Sequence, residues 1–181
     1  PVRGRRVTRR ATPNLDPRSL AELAALERQA DRDALCDPAT LAYYLTGDFA
    51  HRAHNRLITR ELVRLDTPGG NRRLMIMVPP QTGKSTLAAM WMPFWWLARH
   101  PHHKIIIASY GQQLAVNRGR AVRRMVEDHG HRYGLHLARG TGAAAEWETT
   151  AGGGVKSVGL GSSVTGFSAD LLLIDDPHKN R

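Results

Sequence analysis

Cysteine is almost absent: Cys36 is the only one in 181 residues. One thiol builds neither a disulfide framework nor a cysteine-based zinc site, and a reducing cytosol is the natural compartment. Long apolar runs are missing too. The longest, Leu87 to Ala98, has 12 residues and contains Pro93, whereas a membrane span needs about 20. The chain starts Pro-Val-Arg-Gly-Arg-Arg with no apolar stretch behind it, so no signal peptide is expected. Acidic residues are few, 16 against 26 basic ones, which leaves a formal net charge of +10. Apolar residues make up 41% of the chain, enough for a packed core and against full disorder.

Lysine is the scarcer cation, 4 against 22 arginines. Arginine makes bidentate bonds to phosphate and stays charged, so a basic surface of this kind points to nucleic acid or another polyanion. Biased codon use explains the preference for arginine equally well, but not the net charge. Residues 1–66 are net +3 and residues 67–181 net +7. Arg3, Arg5, Arg6, Arg9 and Arg10 cluster at the start, and Arg118, Arg120, Arg123 and Arg124 further on.

Residues 1–17, with Pro13 and Pro17, read as a basic arm or linker. Residues 18–70 read as a helical subregion. Ser19 with Glu22 has the capping-box pattern, and Leu20, Leu23, Ala24 and Leu26 form an apolar stripe. Asp37-Pro38 starts a second helix. A third is expected from about Ala53 to Leu65, with Leu57, Ile58, Leu62 and Leu65 on one face. Thr67 to Asn71 is a turn cluster.

Residues 71–181 have a different pattern. Leu74 to Val78, Lys104 to Ser109 and Leu171 to Asp175 are short apolar runs, as in strands buried on both faces. Helices are expected from about Lys84 to Arg99, bent or shortened near Pro93, and from about Gln112 to Asp128. A β-hairpin is expected between Glu146 and Leu160, turning at Gly152 to Gly154. Strands alternating with helices imply an α/β domain with a parallel core sheet.

Val78-Pro79-Pro80-Gln81-Thr82-Gly83-Lys84-Ser85-Thr86 lies between an expected strand and an expected helix. It ends in Gly-Lys-Ser, the second half of a phosphate-binding P-loop. Val78 stands where the full pattern has glycine, so the match is a variant. A bare triplet of this kind arises by chance in roughly one chain in ten of this length. The strand before it and the helix after it are what the mechanism requires. Backbone N–H groups of the loop cradle phosphates. Gly83 lets the backbone come close, Lys84 would reach the β- and γ-phosphates, Ser85 would ligate Mg²⁺, and Thr86 could add a hydroxyl near the α-phosphate. Pro80, Gln81 and Thr82 complete the nucleotide-binding loop.

Such a loop needs a carboxylate from the end of a neighbouring strand. Asp175 is the candidate for the metal's inner or outer shell. Asp176 is placed to orient and deprotonate an attacking water. Aspartate is one methylene shorter than the glutamate common there. Two helix-capping aspartates after a core strand are the plainer reading.

Four ordered segments now carry a resemblance: Leu74–Thr86 (LMIMVPPQTGKST), Lys104–Ala115 (KIIIASYGQQLA), Gly159–Gly166 (GLGSSVTG) and Ala169–Asn180 (ADLLLIDDPHKN). Together they resemble the ATPase domain of the large terminase subunit of tailed bacteriophages, across roughly residues 40–181. The loop alone is not family-specific; the second and last segments are. The resemblance implies an α/β, RecA-like (ASCE) P-loop NTPase with a mostly parallel central sheet flanked by helices, behind a helical N-terminal segment. It implies ATP and Mg²⁺ as cofactors and ATP-driven translocation of double-stranded DNA into a procapsid. It also implies a homo-oligomeric ring on the portal protein, a small terminase subunit as partner, and the host bacterial cytoplasm as location. Lys84, Ser85 and Asp175 match the phosphate and Mg²⁺ ligands, and Asp176 the catalytic carboxylate. Many relatives carry an arginine inside the loop, but here Pro80, Gln81 and Thr82 fill that stretch. Arg139, or Arg118, Arg120, Arg123 or Arg124, could supply a finger to a neighbouring subunit's ATP or touch DNA. The coupling motif and C-terminal nuclease domain of the family are not found, so the expectation is a fragment of a two-domain protein.

His100, His102 and His103 surround Pro101 without a Cys or carboxylate partner and read as solvated loop residues rather than metal ligands. Trp91, Trp95 and Trp96 read as core packing rather than a base-stacking platform. Ser109 to Gln113 stand where ligands bind in open α/β sheets and either couple ATP to DNA or cap a helix. His54 and Arg56 could flank the adenine. Two other functions share the motifs: a helicase-like RecA-fold ATPase, and a non-catalytic DNA-binding assembly module with a vestigial nucleotide site. A second RecA-like domain after residue 181 would favour the helicase; a nuclease domain there would favour packaging.

Overall fold

The computed structural model describes residues 16–47, 52–68, 73–140, 143–162 and 166–178. Most of the expected basic arm, with Arg3 to Arg10, lies outside the described residues, as do Gly69 to Asn71 of the turn cluster and Ser163 to Thr165.

Three helices come first. Helix α1 (Pro17–Ala34) begins earlier than the Ser19–Glu22 box predicts. Asp16 is its N-cap, accepting from the N–H groups of Arg18 and Ser19 at 2.9 and 3.1 Å. Pro17 explains the shift, because its fixed φ and missing N–H suit the first helical position behind a capping aspartate. The expected apolar stripe faces outward: Leu20, Leu23 and Leu26 are exposed, and Ala34 is the helix's buried residue. Helix α2 (Pro38–Thr46) starts as expected, with Asp37 accepting from Ala39 and Thr40 N–H at 2.8 Å. Helix α3 (Ala53–Arg64) buries Ile58 and Leu62, whereas Leu57 is exposed.

The helical run after the Gly-Lys-Ser loop is neither stopped nor shortened by Pro93. It comprises α4 (Lys84–Thr86), a π-wound stretch (Leu87–Trp91) and α5 (Met92–Arg99). In the π stretch the Met92 N–H donates to the Leu87 carbonyl, five residues back. The wide turn sits directly before Pro93, which has no N–H to give, and so places the defect in the ladder where a donor is missing.

Strand β1 (Lys104–Ser109) follows, then α6 (Gln112–His129), a 3-10 turn (Gly130–Tyr133), β2 (Glu146–Glu148), β3 (Gly154–Gly159) and β4 (Leu171–Ile174). The sheet order is β2-β3-β1-β4. β1 runs parallel to both β3 and β4, while β2 and β3 form the expected hairpin and pair antiparallel. The fold is therefore α/β with a mixed four-stranded sheet, only partly parallel. No helix among the described residues is long and apolar enough to cross a membrane.

One core joins the sheet to α2, α3, the π stretch, α5 and α6. Leu41, Phe94, Trp95, Leu97, Ile105, Ile107 and Val122 are fully buried there. Trp91, Trp95 and Trp96 are core residues, as expected. Trp95 Nε1 donates to the Leu35 carbonyl at 2.8 Å, so its polar edge is satisfied. The histidines near Pro101 are more engaged than solvated loop residues. His100 Nε2 and Arg99 Nε donate to the Asp66 carboxylate at 2.6 and 2.8 Å, and His103 Nδ1 accepts from Trp96 Nε1 at 3.0 Å. Burial holds the pKa of His103 below its ordinary 6.5.

Two apolar runs differ from the expected buried strands. Residues 74–78 have no regular secondary structure and pair with no strand among the described residues. Met75 and Met77 are 81% and 85% exposed, while Leu74, Ile76 and Val78 pack partly against the core. β4 is paired on one side, and its Leu172 and Ile174 are exposed. A cleft of about 700 Å³ lies between residues 73–76 and β4. Each run thus lacks a neighbour on that side, and alternate side chains stay in water.

Candidate functional site

The Gly-Lys-Ser loop hangs from the end of the 74–78 segment. Thr82 Oγ1 donates to the Pro79 carbonyl at 3.0 Å and tightens the turn. His54, on the first turn of α3, donates from Nε2 to the Thr82 carbonyl at 3.0 Å. Gly83 has φ 87, and a Cβ built on it would meet nothing within 4 Å, so the loop opens to free space there. Among the described residues, the non-glycines with positive φ are Gln81 (φ 59) and Asp176 (φ 48). Such conformations cost about 1–3 kcal/mol each and gather at functional sites. Here one lies in the loop and the other after β4.

The two ends meet. Pairing of β4 along β1 carries the chain past Ile174 so that the Asp175 N–H donates to the Ala108 carbonyl at 2.9 Å. The Tyr110 N–H donates to the Asp176 carbonyl at 3.1 Å. Asp175 is buried, and its Oδ1 accepts from Ser85 Oγ at 2.8 Å. Its Oδ2 accepts from Arg118 Nε at 3.1 Å. Lys84 Nζ lies 3.4 Å from Asp176 Oδ1, a half-exposed carboxylate. Residues about 90 positions apart thus form one cluster: a cation, a hydroxyl and two carboxylates at the mouth of the cleft, which Lys84 and Asp175 line.

The five arginines are not equivalent. Arg118 points into this cluster within its own chain. Arg120 and Arg124 are exposed on α6, Arg139 is exposed in a turn, and Arg123 pairs with Glu127 at 3.2 Å. His54 adjoins the loop, but Arg56 lines a separate cleft of about 490 Å³ with Cys36, Asp37 and Thr40. Gln112 is a tie that sequence reasoning missed. Its Nε2 donates to the Ser157 carbonyl at 3.0 Å and its Oε1 accepts from Gly159 N–H at 2.6 Å. Helix α6 has Gly111 as N-cap, with no side-chain cap, so Gln112 fastens the helix to β3 rather than capping it. The sequence offered no spacing that singled out Arg118 over its neighbours; only the helical phase of α6 against β3 does.

The residues suit a magnesium nucleotide. Ser85 and Asp175 present hard oxygen donors side by side, the type Mg²⁺ takes. No group of three or more His, Cys, Asp or Glu able to hold a metal exists among the described residues. Mg²⁺ is commonly held by one or two protein oxygens and completed by water and phosphate. Lys84 is a cation that could meet phosphate oxygens, and a Cβ built on Gly83 would meet nothing within 4 Å.

A family model described as the terminase large subunit, T4likevirus-type, N-terminal, matches residues 75–181. No curated protein matches the chain.

Proposed function

Because the chain belongs to the T4likevirus-type terminase large subunit family, N-terminal part, we propose that it is the ATP-hydrolysing motor portion of a phage DNA-packaging protein, built on a RecA-like P-loop fold. One observation carries this reading: Ser85 Oγ on Asp175 Oδ1 at 2.8 Å, with Lys84 Nζ 3.4 Å from Asp176. A phosphate loop and its acidic partner need such a meeting.

In this reading the backbone N–H groups at Gly83, Lys84 and Ser85 bind the phosphates, with Pro80 to Thr82 shaping the loop and Thr86 beside it. Lys84 binds β- and γ-phosphate oxygens. Ser85 and Asp175 hold the metal ion, directly or through water. Mg²⁺ supplies neutralisation of the charge on the transferred phosphoryl group. Asp176, held at φ 48 beside Lys84, orients a water molecule and accepts its proton. His54 fixes the loop through Thr82.

The same reading makes double-stranded DNA the cargo. It places a homo-oligomeric ring of the protein on the procapsid portal in the host bacterial cytoplasm, with the portal protein and the small terminase subunit as partners. The excess of arginine supports a phosphate-tracking surface. Lys84→Ala should lower DNA-stimulated ATP turnover of the full-length protein by about 100-fold or more, the scale of losing one charge-stabilising group; unchanged turnover sinks the assignment. DNA affinity should fall steeply between about 50 and 200 mM salt as counterions are released, and a flat dependence counts against DNA as cargo.

A further inference from the structure

The motif reading assigns Lys84, Ser85, Asp175 and Asp176, and offers Arg118 only as one of five arginines that could reach a neighbouring subunit's ATP or DNA. Arg118 sits on α6, and its guanidinium takes one oxygen of a buried carboxylate while Ser85 takes the other. Its side chain is 25% exposed and that of Asp175 7%, so the pair is shielded from salt far better than a surface ion pair. The helix that presents Arg118 is fixed at two further points. Gln112 ties its first turn to β3, and at Gly119 the backbone lies so close to β3 that an added Cβ would collide with Ser157 Oγ. The Gly119 carbonyl also accepts from Trp147 Nε1 at 3.1 Å. Ser85 stands on the first turn of α4, directly after the Gly-Lys-Ser loop, and the helical run it opens is largely buried from Leu87 onward. Asp175 is the joint between two helices, one presenting Arg118 and the other Ser85.

We propose that Arg118 is a positioning residue acting in its own chain. By holding Oδ2, it turns the Asp175 carboxylate so that Oδ1 faces Ser85, where the metal ion of the bound nucleotide would sit. This rests on the ATPase reading above. Free of Arg118, the carboxylate can rotate about its χ angles, and the hydroxyl–carboxylate pair is no longer preformed. The loss falls on metal-dependent binding, because the phosphate contacts of the loop do not involve Arg118. Partners that orient a metal-binding side chain typically contribute about 10–100-fold in metal affinity.

The test uses the full-length protein and a fluorescent ATP analogue, titrated with magnesium chloride and, separately, without metal. Arg118→Ala should raise the magnesium concentration for half-maximal effect by about 10-fold, while leaving metal-free affinity within about twofold. Arg118→Lys keeps the charge but not the planar fork and should recover part of the loss. In an Asp175→Asn background, Arg118→Ala should change the magnesium requirement no further, since the two act as one unit. Melting curves identify any variant that fails to fold, and Arg118→Lys then carries the comparison. An unchanged or lowered magnesium requirement in Arg118→Ala overturns the proposal; a lowered one would mean that the guanidinium competes with the metal. Equal losses with and without metal overturn it too, as a general structural role. Absence of nucleotide binding by the unaltered protein removes the ATPase reading itself, and this role with it.

Discussion

Two apolar runs of similar composition meet opposite fates in this chain. Ile105, Ile106 and Ile107 of β1 are buried, with β3 on one side and β4 on the other. Met75 and Met77, in the run leading to the Gly-Lys-Ser loop, stand in water. Both look alike to any count of apolar residues, yet only Lys104–Ser109 forms a strand among the described residues. Burial came from neighbours, not from composition: β1 has two parallel partners and a helix on its face, while 74–78 has the core on one side and a cleft on the other. The site spans the two. Asp175 is bonded through its backbone to β1, whereas Lys84 and Ser85 follow the unpaired run.

That contrast can be broken at its strongest point first. Ile107→Ala should cost about 2–5 kcal/mol in denaturant unfolding, because it leaves a cavity in a fully packed strand. Met77→Ala should change stability by no more than about 0.5 kcal/mol, as an exposed truncation does. Equal costs would show that residues 74–78 are buried in solution. Gly119→Ala is next: the added Cβ would push aside Ser157 Oγ, a single rotor, while alanine favours the helix over glycine by about 1 kcal/mol, so stability should change by no more than about 1 kcal/mol; a loss well above that would show that Ser157 cannot turn away. Asp37→Ala removes the N-cap of α2, which packs into the same core, and should cost about 1 kcal/mol, read as a lower unfolding midpoint. The smallest effect concerns pH. Burial lowers the pKa of His103 below 6.5, so the folded state prefers the neutral ring that accepts from Trp96. The unfolded chain then binds more protons, and stability should be complete above pH 6.5 and decline as pH falls below it. His103→Gln should flatten the melting temperature against pH in that window; an unchanged slope would remove His103 from the cause.

Much of this was legible beforehand. The helix and strand order from Lys84 onward, the β2–β3 hairpin, the burial of Trp91, Trp95 and Trp96, and the meeting of Ser85 with Asp175 follow from local pattern and motif logic, whereas the strand expected at 74–78 does not form among the described residues. What was misread shares one physical character. The Ser19 box lost to Asp16-Pro17 because two cap signals competed and proline settled the phase. Pro93 does not shorten the helical run, which keeps its expected bounds from Lys84 to Arg99; a π turn directly before it takes up the missing donor. Leu172 and Ile174 of β4 were expected in a buried strand but are exposed, as are Leu20, Leu23 and Leu26 of the α1 stripe, because nothing among the described residues covers them, whereas Leu171 is buried. His100 and His103 looked like loop residues until Asp66 and Trp96 were beside them.

The order of helices and strands from Lys84 onward, and the Gly-Lys-Ser and Asp-Asp segments that the fold brings together, could be read from the sequence alone. Backbone preference and motif spacing act over a few residues, and those are written in the chain. Which apolar run is buried, and which of five arginines reaches the carboxylate, were decided only by tertiary structure. Both depend on the register of β4 along β1 and the phase of α6 against β3, and those follow from long-range packing that no local window contains.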